Sequence, residues 1–167
     1  VTHTPAAFPH LDDRGAARMV DVSAKEITAR TAVATGLVRC SAEAVAALRD
    51  GAVPKGDALA VARIAGIAGA KRAPDLIPLA HPVALHAVDV RVEVIDAGVS
   101  IRAEVRTADR TGVEMEALTA VAVAGLAVID MIKALDRDAE ITDVRVVEKR
   151  GGRSGDWQRG DQRDHHR

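Results

Sequence analysis

Between Val88 and Val105 the chain alternates with a period of two. Val88, Val90, Val92 and Val94 are separated by Asp89, Arg91 and Glu93, and Val99, Ile101, Ala103 and Val105 by Ser100, Arg102 and Glu104. Successive side chains of a strand point to opposite faces, so this pattern predicts two strands, each with an apolar and a polar side. Asp96-Ala97-Gly98 sits between them as a hairpin turn. An antiparallel sheet with one apolar face follows, and that face needs helices packed against it.

The rest of the chain supplies those helices. Thr and Val are frequent from Ile27 to Leu37, which predicts a first strand. Ser41 is placed to cap a short helix ending near Gly51, and Asp57, after the Pro54-Lys55-Gly56 turn, to cap a second helix through Ala70. Ala62, Gly66 and Ala70 recur every fourth position of that second helix, giving a smooth face for close packing. Pro74, Pro78 and Pro82 predict a constrained loop, neither helix nor strand, from Ala73 to Pro82. From Val113 to Leu135 the pattern is helical and Ala-rich, with few charges before Asp130, so most of its circumference should be buried. Ile141 to Glu148 reads as the last strand. The order predicts an α+β, ferredoxin-like β-α-β-β-α-β domain over residues 18–149, an antiparallel sheet with helices on one face. Residues 1–17 read as a flexible arm and 150–167 as a disordered basic tail. The second sheet face and the Ala-rich helix call for cover by self-association.

Composition narrows the function. Lys and Arg number 23 and Asp and Glu 24. This balance excludes the overall field of a general nucleic-acid or membrane binder, so ligand charge must be met locally. Phe8 and Trp157 are the only aromatic residues, which argues against a base-stacking nucleic-acid module. Cys40 is the single cysteine, so no internal disulfide forms. With Asp12, Asp13 and Arg14 where a signal peptide would be apolar, the expected setting is cytoplasmic, with no membrane partner.

Several segments carry chemistry. Lys55, just before a helix N-terminus, can meet a phosphate or remain a solvated loop lysine. Arg63 stands among small apolar neighbours, so it either pairs in an interface or faces a ligand. His81, held between Pro78 and Pro82, has restricted backbone freedom suited to proton exchange in fixed geometry, or to a structural hydrogen bond; no zinc-ligand spacing surrounds it. Thr111 and Glu114 match a helix capping box, whereas Glu116 has no such structural explanation. At ~100° per residue the two glutamates point to different sides of the helix and need not serve one reaction centre. Asp130 and Lys133, three apart, can face one site at the end of an apolar helix. Lys149 to Gly155 is a flexible basic stretch able to fold around a phosphate, without the Gly-Lys-Ser/Thr ending of a P-loop.

Met19-Val20-Asp21-Val22-Ser23, Lys55-Gly56-Asp57, Ala62 to Ile67, Asp75 to Pro82, Thr111 to Thr119, Asp130 to Lys133 and Gly151 to Gly155, taken together and in this order, closely resemble the MoaC family. The likeness runs from Met19 to Asp156. Ala80 stands where the family commonly has cysteine. The resemblance implies a lyase of molybdenum cofactor biosynthesis. Such an enzyme rearranges a cyclic dihydroguanosine triphosphate derived from GTP into cyclic pyranopterin monophosphate and releases pyrophosphate. It further implies a homohexamer, a trimer of dimers, with active sites between subunits. Asp130, Lys133 and Lys55 match catalytic positions, and Leu79, Ala80, His81, Glu114, Met115, Glu116 and Lys71 match substrate-binding ones. No protein-held metal or cofactor is expected, although a divalent cation can accompany the triphosphate. The competing expectation is a non-enzymatic ferredoxin-like regulatory domain that binds a nucleotide between subunits.

Overall fold

The computed structural model describes residues 14–160. Most of the expected N-terminal arm and the end of the expected tail lie outside them. The elements are β1 (Thr28–Arg39), α1 (Ala42–Arg49), α2 (Ala58–Lys71), α3 (Ala73–Leu76), β2 (Leu85–Ile95), β3 (Gly98–Asp109), α4 (Glu114–Ile132), β4 (Glu140–Arg150) and β5 (Trp157–Gln158). The strands form one antiparallel sheet in the order β2-β3-β1-β4-β5. Without β5 this is the ferredoxin-like arrangement predicted from the alternation.

The hairpin closes between Ile95 and Gly98, and Gly98 has φ 137°. A Cβ there would come within 1.9 Å of the Val38 carbonyl, so β1 and β3 can pair to their ends only around glycine. Ser41 and Asp57 cap their helices as predicted, accepting from the Ala44 and Ala60 amides at 3.2 and 2.9 Å. Val99, Ile101, Ala103 and Val105 are fully buried beneath the helices, together with Ala117, Ala120, Val121, Ala124 and Val128 of α4. A core of such small side chains lets helices approach closely. Gly66 of α2 lies against Ala120 and Ala124 of α4, where an added Cβ would sit 3.0 Å from the Ala120 carbonyl. α4 has the length and apolar composition of a membrane span, but 56% of that stretch is buried within the chain, where it packs against the sheet and α2.

Three local predictions differ from the structure. The Ala73–Pro82 segment opens with the helical turn α3, because Pro74 falls in the first turn, where its missing N–H has no helical partner to lose. Thr111 does not cap α4: the helix starts after Val113 without a side-chain cap, and Glu114 instead faces Lys149 of β4 at 3.5 Å. The capping carboxylate has a cation within reach, and charge wins over the box. In the stretch read as a disordered tail, Gly151 donates to Asp156 Oδ1 at 2.9 Å, and the returning chain adds β5 beside β4.

Candidate active site

At the C-terminal end of α4 three charges meet. Lys55 Nζ donates to Asp130 Oδ2 at 2.9 Å and to the Asp130 carbonyl at 2.8 Å, while Lys133 Nζ donates to Oδ1 at 2.7 Å. Lys55 arrives from the turn before α2, so close α2–α4 packing brings it to Asp130 across 75 residues of chain. The hydrogen bonds from Lys133 and then Lys55 hold the Asp130 carboxyl well below the usual carboxylate range, at about 2. All three side chains are substantially exposed, so an incoming anion can compete for the two ammonium groups.

At the N-terminal end of the same helix lies a cavity of about 590 Å³. Leu79, Ala80 and His81 form one wall and Glu114, Met115 and Glu116 another. His81 Nε2 lies 2.6 Å from the Val20 carbonyl. A carbonyl only accepts, so Nε2 carries the proton in this contact. Glu116 is 3% exposed, and burial first, then the neighbouring Glu114 charge, pushes its carboxyl above the ordinary value. Contrary to the helical-wheel expectation, Glu114 and Glu116 share this cavity. It wraps the open first turn of α4, where three consecutive side chains can reach it.

The predicted residues therefore fall into two groups. Leu79, Ala80, His81, Glu114, Met115 and Glu116 surround the cavity; Lys55, Asp130 and Lys133 meet at the other end of α4. Lys71 is exposed in the last turn of α2 and lines neither. Arg63 is exposed on α2. Among the described residues no three His, Cys, Asp or Glu side chains are grouped to hold a metal ion.

Residues 19–152 match the MoaC family. The chain belongs to the MoaC family. A Streptomyces avermitilis protein named cyclic pyranopterin monophosphate synthase is 65% identical over 150 residues, spanning 90% of this chain and 88% of that one. A Nocardioides protein of the same name is 57% identical over 162 residues, 95% of this chain and 99% of its own. The Mycobacterium tuberculosis protein named cyclic pyranopterin monophosphate synthase 2 is 59% identical over 150 residues, 90% of both.

In this MoaC family chain the cavity also contains residues the site prediction left out: Val20, Val22, Lys25, Thr111, Gly112 and Arg153. Two of them, Lys25 and Arg153, bring positive charge. The Met19–Ser23 motif was the available signal for the first group: Asp21 accepts from the Ser23 amide at 2.9 Å, a turn that carries Val20 to His81 and leads on to Lys25. A Cβ at Gly112 would meet Glu114 Oε2 at 1.9 Å, so any side chain there would displace the Glu114 carboxylate.

Buried Glu116 has a measurable consequence. A carboxyl whose folded pKa is raised lets the folded state bind the extra proton, so its stability contribution is full below the unfolded value near 4.5 and is lost as pH rises through the folded one. Glu116→Gln, which keeps the shape and removes the charge, should therefore raise the melting temperature at pH 7.5 by a few degrees. At pH 4 the difference should vanish. Thermal melts at the two pH values check this; equal shifts at both would show that burial of the charge is not the cause.

Proposed function

We infer that this chain is a cyclic pyranopterin monophosphate synthase, acting on the cyclic 7,8-dihydroguanosine triphosphate derived from GTP and releasing pyrophosphate, in molybdenum cofactor biosynthesis. The observation that carries the reading is identity of 57–65% over nearly the whole chain to proteins of that name. The two chemical groupings fit the reaction. Opening and rebuilding a purine-derived ring requires proton movement, and departure of pyrophosphate requires positive charge. In this proposal Asp130 and Lys133 transfer protons, and Lys55 and Lys71 stabilise developing negative charge. His81 and Glu116 hold the base or sugar, Leu79, Ala80 and Met115 give it an apolar seat, and Glu114 orients Lys149.

The proposal includes a homohexamer, a trimer of dimers, with each site shared between subunits. Glu116 and Asp130 are fourteen residues apart on α4, so ~21 Å separates their backbones at ~1.5 Å per residue. Val123 is the midpoint. An antiparallel arrangement of two subunits, with their α4 helices related by a two-fold axis level with Val123, would set Glu116 of one subunit beside the Asp130 position of the other. Exposed Val61, Ile64 and Leu126 on the helical side favour such cover. A cytoplasmic setting, no resident cofactor, and a divalent ion entering only with the triphosphate complete the reading. Neither nucleic acid nor membrane is a partner.

The test is incubation of the purified chain with the cyclic GTP-derived intermediate. Formation of cyclic pyranopterin monophosphate and one equivalent of pyrophosphate is the expected result. Tight binding without either product would instead favour the non-enzymatic nucleotide-binding domain.

A further inference from the structure

The glycine-rich return after β4 brings Arg153 to the cavity, and the chemistry above gives that return no part. Lys149 pairs with Trp157 where β5 runs back along β4, and the Arg159 amide donates to the Val147 carbonyl at 2.8 Å, so both ends of the loop are fixed to the sheet. Gly151 and Gly152 take φ 81° and 77°, and the loop lies directly on β1. A Cβ on Gly151 would come 2.2 Å from the Ala29 carbonyl, and one on Gly152 2.5 Å from Arg30 Nη1. Arg30 is itself fastened, donating from Nε to the Asp109 carbonyl at 2.9 Å. Within the loop, the Gly151 amide donates to Asp156 Oδ1 at 2.9 Å and the Gly155 amide to the Gly152 carbonyl at 3.1 Å. Lys149 Nζ donates to Ser154 Oγ at 2.6 Å. Arg153, held between these bonds, lines the cavity and has no acid within 4.0 Å among the described residues.

A segment this rich in glycine loses much conformational entropy when it orders, so it keeps one shape only where specific bonds close it. The Asp156 carboxylate supplies such a bond. It is exposed and enters no ion pair among the described residues, so neither burial nor charge neutralisation accounts for its place. We propose that Asp156 is a positioning residue: by closing the loop on the Gly151 amide it holds the Arg153 guanidinium at the cavity, and Ser154 on the Lys149 ammonium, to receive the phosphates of an anionic substrate. Asp156 touches no substrate and acts through Arg153 and Lys149. The inference rests on the proposed reaction for the nature of that ligand, a nucleotide-derived triphosphate that leaves pyrophosphate.

Inorganic pyrophosphate, titrated calorimetrically into the purified full chain, tests it. Asp156→Ala should raise the dissociation constant ~10-fold, with the circular dichroism spectrum unchanged. Asp156→Asn keeps an oxygen that accepts from the Gly151 amide, and should bind within ~2-fold of the wild type or more tightly. The sign separates positioning from charge: Asp156 is an anion close to two cations, so by electrostatics alone its removal would tighten anion binding in both variants. In an Arg153→Ala background, Asp156→Ala should weaken binding by no more than ~3-fold, because the main cation it places is already gone. Unchanged or tighter binding by Asp156→Ala, an equal loss in the Asn variant, or the full loss in the Arg153→Ala background would overturn the proposal. So would a wild-type chain that binds no pyrophosphate. Binding is read without turnover, so a chain that forms no product refutes the synthase reading and leaves this result standing.

Discussion

Lys133→Ala and Lys55→Ala should each lower single-turnover product formation by ~10²–10⁴-fold, the range expected when a positioned proton-transfer or charge-stabilising group is lost. Both ammonium groups bond the same carboxylate, at 2.7 and 2.9 Å. That shared grip holds Asp130 at about 2, so at neutral pH it is a carboxylate too weakly basic to take a proton readily. In the proposed reaction a lysine leaves Asp130 for the substrate, and the freed carboxylate becomes the stronger base as the lysine stabilises charge elsewhere. Removing a lysine uncouples these two events. Exposed ion pairs contribute little to stability, so circular dichroism and assembly mass should be unchanged and the melting temperature should move by no more than about 2 °C. Asp130→Asn keeps the shape and removes the base, and should show the same loss in the chemical step with substrate affinity retained. Near-normal single-turnover rates in any of these variants would refute that residue's role.

Mixing two inactive variants should restore activity. Glu116→Ala and Asp130→Ala each damage every site of their own assembly. If Glu116 of one subunit serves the Asp130 of its neighbour, an interface between the two variants contains one site with both residues intact and one with neither. Random exchange at equal amounts makes half of the interfaces mixed, so activity should return to about one quarter of the wild-type level. The ~21 Å between the two backbones on α4 is too long for side chains of one subunit to meet at a single atom. A single chain could satisfy the distance only by placing the two acids at opposite ends of the triphosphate substrate. That arrangement predicts no recovery, and subunit exchange followed with differently labelled variants makes the negative result decisive.

Much of the architecture was legible from local patterns. The alternation from Val88 to Val105 and the turn at Asp96-Ala97 specified the β2–β3 hairpin, because strand periodicity flips every second side chain regardless of context. Ser41 and Asp57 located their helix starts for an equally local reason, the reach of a side-chain oxygen to an amide three residues on. The candidate site positions were singled out because family motifs recur along the chain in order.

What the chain alone could not specify depended on residues distant in sequence. Thr111 and Glu114 satisfied the capping-box spacing, but Lys149, 35 residues further on, takes the Glu114 carboxylate once β4 lies beside α4. Trp157 reads as tail until Asp156 turns the chain back along β4. Lys25 and Arg153 enter the cavity from segments with no regular pattern, carried there by the turn at Asp21 and by the glycine-rich return. Sequence determined the periodic elements, their caps and the residue types available for proton transfer, since each is governed by neighbours within a few positions. Only the tertiary structure decided that Lys55 and Lys133 would grip one carboxylate and that Glu116 would be buried far from it. Those are consequences of α2 packing on α4 through glycine and alanine, where the distance of closest approach is a property of two surfaces together and of neither alone.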